Sequence, residues 1–234
     1  MLAPETPLAP SVRAALAEVA DPARAPGMQA YMKSAMPYLG VSAVPLRQVC
    51  KTLFKGLAWA DAETWQRDVL ALWRGAEFRE ERYAAFELTG VKAAALFHDL
   101  SALPMYEEMI VTGAWWDFVD AIAGQRLWTI LENEGEAMKR AMLAWSKDRD
   151  MWKRRSAILC QLRAKQLTDL ELLYACIEPS LDSKEFFLRK AIGWALRQYA
   201  WTDPAEVRRY VARQQDRLSG LSRREALKNV GASA

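Results

Sequence analysis

Apolar residues recur at helical spacing almost from one end of the chain to the other, and no stretch alternates apolar and polar residues as a half-buried strand does. This periodicity predicts an all-α fold. The predicted helices cover 11–20, 28–35, 43–58, 61–74, 78–97, 104–111, 114–123, 134–147, 150–164, 168–177, 184–201, 203–215 and 222–230. Pro37 and Gly40 end the second segment. Asp61 and Asp203 stand where helix caps are expected, with Pro204 at a first helical position. Helices of roughly 10–18 residues with short turns and no sustained heptads suit an α-solenoid of stacked antiparallel helix pairs, of HEAT or armadillo type. Internal repeats are not visible in the sequence, and a compact irregular bundle is the alternative. Residues 1–10, rich in Pro and Ala, read as a flexible N-terminal arm, and 11–234 as a single helical-repeat domain.

The rest of the composition narrows the chemistry. A 52% hydrophobic content and a mean hydropathy of −0.15 fit a soluble globular protein. No apolar run approaches the ~18 residues that would cross a bilayer, and the N-terminus lacks the basic and apolar regions of a signal peptide. The expectation is a cytoplasmic protein with no membrane contact. Cys50, Cys160 and Cys176 are widely spaced without C-x-x-C, which argues against a disulfide framework and a zinc site. The single histidine, His98, closes an apolar run (AAALFHDL) and suits a helix-end or core role better than catalysis. No metal and no cofactor are expected, and nothing demands more than a monomer. Charge is uneven: residues 1–150 carry 16 Lys+Arg against 20 Asp+Glu, and residues 151–234 carry 16 against 9. A basic C-terminal third fits an anionic polymer partner or an ordinary solvated surface equally well.

Three groups of residues are hard to explain as packing alone. In WWDFVD (115–120), Trp115, Phe118, Val119 and Ile122 share one helical face, while Trp116 falls outside it beside Asp120, one turn on. Such a carboxylate is either solvated or part of a site for something flat and cationic. In 184–201, Leu188, Ala191, Ile192, Ala195, Leu196 and Tyr199 form a core face, and Phe186, Phe187, Lys190, Trp194, Arg197 and Trp201 lie opposite. Interleaved aromatics and cations suit nucleic-acid contacts, or else a two-sided core with snorkelling cations. In 150–164, Arg155 points into the apolar stripe and Arg154 lies on its rim. A buried guanidinium needs a partner, either a carboxylate within the fold or a phosphate.

One aspartate, two tryptophans and an unusual arginine, without a nucleotide-binding loop or a histidine dyad, leave few reactions. One is heterolysis of an N-glycosidic bond whose base is already cationic. Alkylation at N3 or N7 of a purine supplies that charge, so the base leaves without a general acid. A carboxylate can then stabilise the sugar oxocarbenium and position water, while indoles hold cationic groups.

At these residues the chain resembles the DNA alkylation repair family of AlkD type, DNA glycosylases built from HEAT-like repeats. The segments that carry the resemblance are YMKSAMPYLGVS (31–42), EFREERYAAFEL (77–88), WWDFVD (115–120), WSKDRDMWKRRSAIL (145–159), EFFLRKAIGWALRQYAW (185–201) and LSGLSRREALKNV (218–230). The resemblance covers about residues 28–230. It implies that Asp120 is the catalytic aspartate, with Trp116 and Trp194 as its tryptophans and Arg155 as the arginine gripping the lesion strand. Tyr31 matches a tyrosine that contacts DNA near the lesion, and Arg163 and Arg197 fall where the family places basic residues near DNA. Lys33, Arg154, Phe187 and Lys190 complete the expected DNA-contacting set. The implied activity is monofunctional release of N7- or N3-alkylpurines from double-stranded DNA in a concave basic groove, without flipping the base into a pocket. A non-catalytic helical-repeat protein that binds damaged or structured DNA is the competing reading.

Overall fold

A computed structural model of the chain, whose described residues are 8–230, resolves the helical pattern into fourteen α-helices. They are α1 (Leu8–Glu18), α2 (Ala25–Met32), α3 (Ala43–Leu53), α4 (Ala62–Arg74), α5 (Arg79–Leu88), α6 (Leu103–Gly113), α7 (Trp116–Ala121), α8 (Trp128–Glu134), α9 (Glu136–Trp145), α10 (Met151–Leu159), α11 (Leu170–Ile177), α12 (Phe186–Tyr199), α13 (Pro204–Arg213) and α14 (Gly220–Ala226). No strand occurs among the described residues. Of the expected N-terminal arm, residues 1–7 lie outside the described residues, and 8–10 already belong to α1.

Side-chain caps start several helices by accepting backbone N–H groups that have no partner inside the helix. Asp61 accepts from Thr64 N at 2.8 Å, and Asp203 accepts from Glu206 N at 2.9 Å ahead of Pro204. Asp150 takes both Trp152 N and Lys153 N at the head of α10. Other boundaries differ from the sequence pattern for local reasons. The second segment stops at Met32, where Lys33 turns left-handed at φ 49°. The segment expected over 78–97 ends at Leu88, and a separate 3-10 turn spans Lys92–Phe97. Residues 124–133, expected outside the helices, continue α7 through a π-helical stretch, Ile122–Leu127, into α8.

The chain divides into two compact units, Met1–Met105 and Tyr106–Ala234. In the first, α1 packs on α3 and α3 on α5, with α4 against α1 and α5. In the second, α7 packs on α10, α10 on α12 and α12 on α14, while α9 and α11 pack on each other and on α10. Alternate helices thus contact one another in series. This is how helical repeats bury apolar faces that one repeat cannot bury alone. The expected stripes are the interior: Trp65, Val69, Leu72 and Trp73 in α4, Phe118 and Val119 in α7, and Leu188, Ile192 and Leu196 in α12 are all buried. His98 is buried, with its Nε2 3.0 Å from the Thr89 carbonyl and its ring edge-on to Trp65. The three cysteines are free and buried.

Two backbone approaches fix local geometry. Gly40 has φ +86°, and a Cβ there would stand 2.0 Å from the Asp21 carbonyl oxygen. The loop beside it is gripped by Glu80, fully buried in α5, which accepts from the N–H groups of Leu39, Gly40 and Val41 at 3.1, 2.9 and 3.0 Å. Burial pushes the Glu80 carboxyl above the ordinary range, and these three donors oppose the shift. Gly193 in α12 faces α14 so closely that a Cβ would lie 2.4 Å from Glu225 Cβ and 2.9 Å from the Ser222 carbonyl oxygen. Gly193→Ala is therefore expected to destabilise the protein by about 1–3 kcal/mol through overpacking. Gly27→Ala, which meets nothing within 4 Å, should be neutral or mildly stabilising. Urea midpoints of the two variants check the contrast.

Candidate active site

Trp116 opens α7, and Asp120 follows one turn later, just ahead of the π-helical stretch. Such widened turns often occur where a helix must aim side chains for function. Arg155 stands in the second turn of α10. Phe187, Lys190, Trp194 and Arg197 share one face of α12. Together with Phe186, these residues line a cleft of about 320 Å³. Asp120 and Trp194 also line an adjoining cleft of about 360 Å³, with Gln125, Arg163 and Gln198. Asp120 therefore faces two spaces, one walled by aromatics and cations, the other by amides and Arg163.

Phe187, in the lining of the first cleft, belongs to an aromatic cluster. The Phe187 ring meets Trp115 edge-on at 5.3 Å and Trp152 at 5.0 Å. Trp115 caps α7 from outside the helix and remains scaffold, as do the buried Phe118, Val119 and Ile122. Trp116 and Trp194 are half-buried and free of this cluster, with their rings on the cleft wall.

Arg155 finds the carboxylate partner that the sequence left open as one of two. It lies 4% exposed and grips Asp120, with Nε on Oδ1 at 2.7 Å and Nη2 on Oδ2 at 2.8 Å. Its Nη1 donates to the Phe187 carbonyl. The guanidinium could enter the apolar stripe because these partners offset its desolvation. The bidentate contact occupies one acceptor position on each oxygen, and a carboxylate offers about four, so Asp120 keeps acceptor capacity towards the clefts. Burial pushes the Asp120 carboxyl up from the ordinary range, and the Arg155 fork pulls it back.

The other expected contact residues divide into three groups. Arg163 is exposed in the second cleft, with no ion pair among the described residues. Lys190 and Arg197 line the first cleft but are paired with Glu225 of α14. Arg154 is half-buried and bonded to the Ser180 hydroxyl at 3.0 Å, outside the lining of either cleft. Tyr31 and Lys33 lie in the first unit, where Tyr31 is 75% exposed. The sequence reading missed Gln125, Gln198 and Glu225. Gln125 fell in the unassigned stretch after 123. Gln198 was signalled only by standing one turn beyond Trp194. Among the described residues no group of three or more His, Cys, Asp or Glu side chains is disposed to hold a metal ion, and no helix there is long and apolar enough to cross a membrane.

The profile of the DNA alkylation repair enzyme family matches residues 12–230. The chain belongs to this family. Its fold is similar to that of a predicted DNA alkylation repair enzyme from Enterococcus faecalis, with a TM-score of 0.80 and 28% identity over 92% of this chain and 98% of that one. No curated protein matches it. Membership makes the chain an enzyme of DNA repair directed at alkylation damage, with DNA as its substrate. The all-α helical-repeat fold expected from the sequence agrees with this likeness. In this DNA alkylation repair enzyme, removing the Asp120 partner should cost stability before it costs anything else. Arg155→Ala is expected to destabilise by about 3–5 kcal/mol, because it strands a carboxylate whose side chain is 12% exposed. Arg155→Lys, which keeps the charge and loses the fork, should cost less. Chemical denaturation of the three proteins measures the order.

Proposed function

We propose that the chain is a monofunctional DNA glycosylase that hydrolyses the N-glycosidic bond of cationic N7- or N3-alkylpurines in duplex DNA. The observation that carries this reading is the Asp120 carboxylate, held bidentately by Arg155 in a cleft walled by Trp116 and Trp194. The C1′–N bond breaks with its electron pair moving onto the alkylated base, which leaves neutral. The deoxyribose becomes an oxocarbenium ion, opposed by Asp120 and flanked by the two indoles. Water adds at C1′ and loses its proton towards Asp120 or solvent, which completes hydrolysis. Arg155 keeps the carboxylate oriented, so it acts as a positioning residue. Arg163, Lys190 and Arg197 supply positive charge for the phosphates.

The cleft linings fit a lesion that brings its own charge. Asp120 is the only carboxyl group among the described residues lining them, and no histidine joins it. The first cleft also lacks the amides and hydroxyls that usually read the Watson–Crick edge of a flipped base. Both features favour catalysis at the sugar of a labile base, without base flipping. A non-catalytic protein that binds damaged DNA has no need of a buried carboxylate held by an arginine fork at such a cleft.

Chromatography of bases released from methylated duplex DNA tests the proposal. Wild type should release 7-methylguanine or 3-methyladenine, and Asp120→Asn should lose at least ~100-fold of that rate while keeping its DNA affinity. Near-full activity in the folded variant would contradict the assigned role.

A further inference from the structure

Two cations on the wall of the first cleft share a partner that does not itself line it. The Glu225 carboxylate on α14, 7% exposed, accepts from Arg197 Nη1 at 2.6 Å and lies 3.1 Å from Lys190 Nζ. Lys228 Nζ also reaches it, at 2.7 Å. This placement is set by the backbone. Gly193 stands on α12 between Lys190 and Arg197, and only its missing Cβ lets α14 bring Glu225 so near. The Ser222 hydroxyl donates to the Arg189 carbonyl at 2.9 Å and pins the same crossing. Lys228, with Lys190 helping, holds the Glu225 carboxyl down at about 2 against the opposing effect of burial.

A carboxylate that receives a guanidinium and an ammonium makes the charge-assisted contacts a phosphate oxygen would make. Arg163 in the adjoining cleft has no such partner among the described residues. We propose that Glu225 is the internal counter-ion of Lys190 and Arg197, a positioning residue that fixes both cations at the cleft wall and withholds about one unit of positive charge from duplex DNA. The inference rests on DNA lying along this cleft and is independent of how the glycosidic bond breaks. Sequence-independent affinity grows with each phosphate neutralised. Pairing with Glu225 therefore lowers affinity for undamaged duplex while keeping the two cations ordered beside Trp194.

Binding of an unmodified duplex, measured by fluorescence anisotropy between about 50 and 200 mM salt, tests this. Glu225→Gln should bind more tightly and steepen the slope of log K against log salt by about 0.9, so its advantage over wild type at the low-salt end exceeds that at the high-salt end by roughly 3–4-fold. Arg163→Gln should flatten the slope by about 0.9. The double variant Glu225→Gln with Arg197→Gln keeps the net charge and should return to the wild-type slope. It also stands in for the single variant if an unpaired Arg197 prevents folding. A folded Glu225→Gln with an unchanged or shallower slope overturns the proposal, as does a double variant that falls about 0.9 below wild type. An unchanged slope in Arg163→Gln overturns it at its premise, by taking the duplex off this cleft. Base release is not read in any arm, so failure of the glycosylase reading remains separate.

Discussion

The second unit is organised around one ion pair. Arg155 of α10 holds Asp120 of α7 through both carboxylate oxygens and the α12 backbone through the Phe187 carbonyl. One guanidinium therefore ties together three helices that pack in series. Its burial is tolerable because its partners are in place, and Asp120 can lie deep in the cleft wall only because the guanidinium is there. Stability and proposed chemistry then depend on the same contact. The carboxylate that would oppose a developing oxocarbenium ion is already oriented, so little reorganisation is needed when the charge appears.

Around that pair, the two clefts gather aromatic rings and cations. The Arg155 guanidinium lies over the Phe187 ring at 5.8 Å, Lys190 and Arg197 line the first cleft paired with Glu225, and Arg163 lines the second without an ion pair among the described residues. Trp116 and Trp194 share the lining of the first cleft with the carboxylate and with Lys190 and Arg197. An arrangement with one carboxylate and no second acid suits a substrate that carries its own positive charge.

Much of this was legible in the sequence, and the remainder was not for specific reasons. Helical periodicity gave the fold class, and the helical wheel separated Trp116 and Asp120 from the stripe of Phe118 and Val119. The same wheel showed Arg155 inside an apolar stripe but left its partner open between a carboxylate and a phosphate, since that partner is 35 residues away. The two suspicions, Asp120 and Arg155, turned out to be one contact. Glu225 sits 28 residues beyond Arg197 and is brought near by a glycine, so no local spacing could pair them. The π-helical continuation through Gly124 was missed because a glycine in a weak pattern reads as a break. Of the segments that carried the family resemblance, 31–42 and 77–88 hold architecture, with Glu80 gripping the backbone at 39–41.

The central claim is that the cleft offers a carboxylate and no leaving-group acid, so the lesion itself must supply the charge. Two duplexes test this most directly, one carrying 7-methylguanine and the other its neutral isostere 7-methyl-7-deazaguanine, compared for base release under single-turnover conditions. The account predicts release of the cationic base and none of the neutral one, with both duplexes bound. Comparable release from both would contradict it.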